Sequence, residues 1–233
     1  MSSNSWGKII DKFSDEDIKK GLTSFVNPFS MLVLEKNIKI AEGIDHWFMD
    51  GISLVNKINK AFGTKWERAS FDDTSLAPKV FEFSKKNNLK IAIIGTMEAY
   101  ISKAVSNIEK KFSVKVSYSR NGYFTTPEEK DEALNYIINN NIEVVVVGMG
   151  TPYQEQFLIE LKNRNWNGYG FTCGGYLHQM AKSDNYYPAF FDKMNIRWVY
   201  RIIDEPKLLK RYAFYYPLFF LKLNKFIKQV NHN

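Results

Sequence analysis

The run Glu143-Val144-Val145-Val146-Val147-Gly148 constrains the fold of this chain more than any other stretch. It leaves no polar side to turn toward water, so it reads as a strand covered on both faces, as strands of a parallel sheet are. Lys90-Ile91-Ala92-Ile93-Ile94-Gly95 is a second short apolar strand closed by glycine, with Thr96 as the expected N-cap of a helix to about Lys111. Val114 to Tyr118 alternates like a further strand. Thr126-Pro127-Glu128-Glu129 opens a helix: a cap, a proline at the first position and a Glu able to complete a capping box. Thr151-Pro152-Tyr153-Gln154 repeats the cap-proline order, and a strand over Gly168 to Thr172 runs into Gly174-Gly175. Strand and helix alternate, which predicts an α/β fold with a parallel, doubly wound sheet flanked by helices.

Upstream, Ser14-Asp15-Glu16-Asp17 reads as a helix start, Ser24 to Asn27 as a short apolar element, and Met31 to Leu34 as helical. The 233 residues suffice for one large domain, or one domain with an appendage, and 45% hydrophobic with 24% charged residues excludes wholesale disorder. The net charge of +7 is unevenly placed. From Lys193 to Asn233 nine basic residues face only Asp204 and Glu205, so the entire excess lies there and the rest is neutral. In that tail Trp198, Tyr200, Phe214, Tyr215, Phe219 and Phe220 interleave with cations. Pro206 and Pro217 are expected to break it into short helices. Leu218, Leu221, Phe226 and Ile227 are expected to line one face flanked by Lys222, Lys225 and Lys228, a basic amphipathic pattern suited to a membrane surface. The reading is an α/β body over residues 1–192 and a basic-aromatic appendage suited to a membrane surface over 193–233.

One cysteine, Cys173, cannot form an internal disulfide, which fits a reducing cytoplasm. The first thirty residues lack a signal pattern, and no stretch of eighteen apolar residues exists. There is no GxGxxG fingerprint and no Walker lysine pattern, which removes support from oxidoreductase and P-loop readings.

The strongest local motif is Gly148-Met149-Gly150-Thr151-Pro152-Tyr153-Gln154-Glu155-Gln156. Ligands of open α/β sheets sit beyond the carboxyl ends of strands, where glycines admit close approach and helix N-termini offer N–H groups. The residues suit a nucleotide diphosphate or a sugar, with Gln154 able to bond hydroxyls. They equally suit a tight, well-capped turn.

VGMGTPYQEQFL, then TCGGYLHQ, then RWVYRIIDEPKLLKRY resembles the WecG/TagA/CpsF glycosyltransferase family (family 26). The resemblance runs from about Asn27 to Tyr212. It implies an inverting, metal-independent and cofactor-free transferase with a Rossmann-like core of the GT-E type. It further implies action on undecaprenyl-diphosphate-linked intermediates of surface polysaccharides, and an appendage that touches the membrane.

Residue by residue, the resemblance makes Asp50, in FMDGISLV, the proposed general base. Inverting transfer needs one carboxylate to take the acceptor hydroxyl's proton. A lone Asp-Gly is otherwise a turn. Asn27, in FVNPF, matches an asparagine near the donor, with Phe25 where the family has threonine. Arg68, in WERASFDDTS, matches an ER motif, with Phe71 in place of glycine and either Asp72 or Asp73 filling the acid position. Gly148, Gly150, Gln154 and Glu155 fall in the first string; Gly174, Gly175 and Gln179 in the second, where Leu177-His178 replace Phe-Asp. His178 is compatible with sugar or phosphate binding, with acid–base assistance, or with a purely structural place. Arg197, Arg201 and Arg211 match appendage arginines, able to meet the charge on a departing diphosphate at any cellular pH.

The expected function is transfer from a UDP-sugar to a polyprenyl-diphosphate-linked saccharide at the inner face of the cell membrane, in O-antigen, capsule, exopolysaccharide or teichoic acid synthesis. The rival is a non-enzymatic nucleic-acid or anionic-lipid binder. The neutral body and the absence of RNP, KH or helix-turn-helix patterns argue against nucleic acid.

Overall fold

The structure, a computed structural model, describes residues 4–182, 202–203 and 206–231. Six parallel strands form one sheet: β1 (Gly21–Val26), β2 (His46–Met49), β3 (Ile91–Gly95), β4 (Val116–Arg120), β5 (Val144–Gly148) and β6 (Tyr169–Thr172). Their order across the sheet is β2-β1-β6-β5-β3-β4. The valine run sits inside the sheet between β6 and β3, and every residue of β5 is buried. Successive side chains of β3 and β5 point to opposite faces. Ala92, Ile94, Val145 and Val147 enter one core layer, and Ile91, Ile93, Val144 and Val146 enter the other.

Helices cover both faces. One layer holds α1 (Ser5–Ile10), α2 (Pro28–Leu34), α3 (Ile38–Gly43), α4 (Ile52–Phe62), α7 (Pro127–Asn139) and α8 (Tyr153–Asn163). The other holds α5 (Leu76–Lys86), α6 (Glu98–Phe112) and α9 (Tyr176–Lys182). The chain is therefore an α/β protein of the predicted class.

Several local expectations change. No helix begins at Ser14; α1 lies upstream, and the Ser14 hydroxyl accepts a bond from the Glu16 amide in a tight turn. Thr96 does not cap α6. Its backbone turns left-handed (φ 52°), its N–H bonds to Gly148 O, and its carbonyl accepts from Gly122, so Met97 precedes the helix instead. The alternating strand lies at Val116–Arg120, two residues on from its expected place. Thr126 caps α7 as predicted, but Glu129 accepts from Thr125 and Arg120 rather than closing a capping box. β2 gave no strand signal that was read; His46–Met49 is only four residues long.

After the undescribed segment, Pro206–Leu208 forms a 3-10 turn and Arg211–Tyr215 a π-helical turn that leads into α10 (Tyr216–Asn231). Pro217 does not break the tail: it lies just past the π-helical turn, inside a helical run that continues from residue 209 to 231. The expected apolar face is also redrawn. Phe219, Leu223 and Phe226 are buried, with Phe219 and Phe226 against Trp6 at ring distances of 5.3 and 5.9 Å. Each such side chain contributes about 1.5–3 kcal/mol on burial. Leu218 and Leu221 point outward with Phe214, and Lys222 pairs with Glu35 of the turn after α2 at 2.6 Å. The 192/193 boundary lies outside the described residues.

Candidate active site

The helices after β1 and β5 (α2 and α8) pack on one face of the sheet, and the helix after β6 (α9) on the other. The loops thus diverge around the carboxyl end of β6, the place where open α/β sheets bind ligands. Most predicted site residues among those described follow the ends of β1, β2, β5 and β6.

Asp50 follows β2 directly. Its N–H bonds to Val26 O (2.7 Å), extending the β1–β2 ladder, and Gly51 (φ 127°) turns the chain into α4. The Asp-Gly is a turn as well as a candidate catalytic element. The returning segment lies alongside, because Ala69 N–H bonds to Met49 O at 3.1 Å, which brings Arg68 next to Asp50. Arg68 Nη2 then lies 2.9 Å from Asp50 Oδ1, 3.1 Å from Asp72 Oδ2 and 2.7 Å from Ser70 Oγ. Burial opposes the Arg68 charge, but Asp50 and Asp72 outweigh it and raise the guanidinium above its ordinary value. Burial likewise opposes ionisation of Asp72; hydrogen bonds from Ser70 and Thr74 and the charge of Arg68 overcome it and hold the carboxyl below the usual range. About a third of the Asp50 side chain remains open to solvent (35%).

The two adjacent acids are separated by this geometry. Asp72 joins the Asp50–Arg68 cluster, whereas Asp73 turns away to Lys111 (2.7 Å) and the Tyr176 hydroxyl (2.7 Å). The two aromatic departures from the family pattern touch one another: Phe25 and Phe71 meet edge to face at 6.4 Å, and Phe71 also contacts Phe81, Phe171 and Tyr176.

Asn27 follows β1 and caps α2. Its Oδ1 accepts from the Phe29 and Ser30 amides (both 3.0 Å), and the Ser30 hydroxyl accepts from the Asn27 amide at 2.8 Å. Asn-Pro-x-Ser is a readable cap signal that the sequence reading passed over. Arg211 reaches the same corner: its guanidinium lies 4.1 Å over the Phe29 ring, whose edge contact to Tyr215 is 5.3 Å. Arg197 and Arg201 lie outside the described residues.

The glycine turns after β5 and β6 adjoin. An added Cβ at Gly148 would lie 2.9 Å from both Cys173 Sγ and Gly174 O, so only glycine allows this approach. Beyond them space opens: a Cβ at Gly150 or Gly174 would meet nothing within 4 Å. Gln154 ties the turns together, its Oε1 accepting from Gly150 N–H and Gly174 N–H, both at 3.2 Å. The expected cap at Thr151 is not formed. α8 starts at Tyr153 after a cis Thr151–Pro152 bond, and the Thr151 hydroxyl bonds Glu155 at 3.0 Å. Gln154 and Glu155 are both buried beneath the loop. Gly175 and Gln179 are half-buried. His178 is half-buried on α9, edge-on to Tyr100 at 5.0 Å. Its strand, β6, lies two places from β2 in the sheet, about 10 Å at ordinary strand spacing. Burial raises the Cys173 thiol far above its ordinary value, which suits a packed side chain and not a nucleophile.

Among the described residues, no helix is long and apolar enough to cross a membrane. A model of the glycosyl transferase WecG/TagA/CpsF family matches residues 3–232. A UDP-Gal:alpha-D-GlcNAc-diphosphoundecaprenol beta-1,4-galactosyltransferase from Shigella boydii is 35% identical over 203 residues, covering 87% of this chain and 85% of the relative.

Proposed function

The chain belongs to the glycosyl transferase WecG/TagA/CpsF family, and from that premise we propose an inverting, metal-independent transfer from a UDP-sugar to a polyprenyl-diphosphate-linked saccharide. The observation that carries the mechanism is the Asp50–Arg68–Asp72 cluster at the end of β2. Asp50 takes the proton of an acceptor hydroxyl while that oxygen attacks the anomeric carbon from the face opposite the leaving group. The bond from that carbon to the β-phosphate oxygen breaks, and UDP leaves with the electron pair. Arg68 is a positioning residue: it orients the Asp50 carboxylate and is itself held by its second carboxylate partner, Asp72.

The donor diphosphate fits the open space beyond the Gly148–Gly150 and Gly174–Gly175 turns. Charge growing on it calls for cations; Arg197, Arg201 and Arg211 are the candidates, acting in place of a metal ion. Arg211 is held at the α2 corner beside the Asp50 side of the site. The exposed Phe214, Leu218 and Leu221, with Lys225 and Lys228 on the same helix or its lead-in turn, suit an interfacial position that brings a lipid-borne acceptor within reach.

A panel of UDP-sugars with a GlcNAc-diphosphate-lipid acceptor tests the reading, with UDP-galactose as the first donor because the relative's name specifies it. The expected outcome is a glycosylated lipid product of inverted anomeric configuration, formed undiminished in excess EDTA. A requirement for Mg²⁺ or Mn²⁺ would overturn the role given to the arginines, and release of UDP without a glycosylated product would overturn the acceptor assignment.

A further inference from the structure

Among the described residues one buried side-chain polar atom has no hydrogen-bond partner, and it is Glu155 Oε2. Its sister oxygen is crowded. Oε1 accepts from Ser24 Oγ (2.9 Å), Thr151 Oγ1 (3.0 Å) and Gln154 Nε2 (3.0 Å). Because the Ser24 hydroxyl spends its one hydrogen on Glu155, its 2.8 Å contact with Thr172 must run from Thr172 to Ser24. The network therefore joins β1, β6 and the start of α8 beneath the two glycine turns. Among the described residues no cation contacts the carboxyl, and Glu155 is fully buried (0% exposed).

A carboxylate so placed would be an uncompensated buried charge, which proteins avoid by keeping the group protonated. Burial pushes the Glu155 carboxyl up, against the smaller pull of its bonds from Gln154, Ser24 and Thr151. A neutral acid also accounts for the asymmetry. Its carbonyl oxygen gathers the three donors, and the other oxygen is the hydroxyl. The consequence reaches the site through Gln154. With the amide nitrogen anchored on Glu155, the amide oxygen faces Gly150 N–H and Gly174 N–H, and the reverse orientation would lose every one of these bonds.

We propose that Glu155 is a positioning residue for the nucleotide donor: a buried, un-ionised acid that fixes the Gln154 amide and, through it, the spacing of the Gly148–Gly150 and Gly174–Gly175 turns that receive the diphosphate. This rests on the donor site assigned above. Glu155 makes no contact with substrate; it acts on affinity, so its loss is felt in KM for the donor more than in kcat.

The test uses the full chain, with UDP as the calorimetric probe and donor kinetics beside it. Glu155→Ala is expected to weaken UDP binding by about tenfold or more and to raise the donor KM by a similar factor, with kcat changed less. Glu155→Gln keeps an acceptor at the Oε1 position and is expected to recover most of that loss. Wild-type affinity should weaken more steeply than that of Glu155→Gln as rising pH ionises the buried acid, since titration of UDP itself is common to both proteins. UDP affinity in Glu155→Ala equal to wild type overturns the inference, as does Glu155→Gln binding as poorly as Glu155→Ala. If Glu155→Ala does not fold, Gln154→Ala removes the same link, and unaltered UDP affinity there is equally fatal. A wild-type protein that binds no UDP overturns the donor reading itself, a result distinct from intact binding that ignores residue 155.

Discussion

Asp50 and Glu155 are carboxyl groups near the same carboxyl-end edge of one sheet, yet their surroundings differ in each respect that governs charge. Asp50 keeps part of its surface in water and lies against a guanidinium. Glu155 is sealed from water, touches no cation among the described residues, and has its acid form favoured by burial. In the proposed mechanism the first arrangement keeps a proton acceptor in reach of an incoming hydroxyl, and the second uses the acid's oxygen as a fixed acceptor for the loop above. The proposal thus divides the labour of the two carboxyl groups between reaction and scaffold.

The sharpest way to break this division is Asp50→Asn. It preserves shape and the contact with Arg68 but cannot accept the proton, so turnover should fall about 10²- to 10⁴-fold while UDP affinity holds. Turnover within threefold of wild type, measured by product formation, would remove Asp50 from the base role.

Thermal unfolding should show the reverse order. Glu155→Ala leaves the Ser24 and Thr151 hydroxyls and the Gln154 amide without their acceptor, at about 1–3 kcal/mol for each group left unsatisfied. Its Tm should therefore drop by about 6 °C or more, at about 2–4 °C per kcal/mol for a domain of this size. Asp50→Asn should melt near wild type. Equal Tm values for the two variants would dissolve the contrast.

The smallest effect is in the pH dependence of stability. Glu155 has a folded-state value above its unfolded one, so its contribution is full below the unfolded value and is lost as pH rises through the folded value. Asp72 has the opposite shift, so its contribution is present above the unfolded value and disappears as pH falls through the depressed folded one. In urea titrations across pH, Glu155→Gln should flatten only the decline that sets in as pH rises above the ordinary carboxylate value, and Asp72→Asn only the decline as pH falls below it. A variant that flattened the other limb would reverse the charge assignments.

The apolar strands were legible in the sequence because their message is local. Four consecutive valines in β5 and the Ile-Ala-Ile-Ile of β3 cannot be solvated on either side, whatever the rest of the chain does. Caps were less legible. Asn27, Thr126 and Thr151 look alike as a polar residue before proline, but the Thr151 hydroxyl is claimed by Glu155, which only folding brings within reach. The tail's amphipathic pattern was misassigned for the same reason: periodicity shows that faces differ, and the partner, here Trp6 against Phe219 and Phe226, shows which one is buried.

By itself, then, the sequence determined the α/β class, the glycine turns at the strand ends and, through its resemblance, the family, and it offered Asp50, Asn27 and Arg68 as candidates. Tertiary structure alone set Asp72, and not Asp73, against Arg68, paired Phe25 with Phe71, and joined Ser24 to Thr172 across 148 residues beside an acid that the motif had offered to the substrate. The physical reason is range. Burial demand and turn chemistry are written in neighbouring residues, whereas the charge state of a carboxyl group depends on which distant donors and cations the fold places around it.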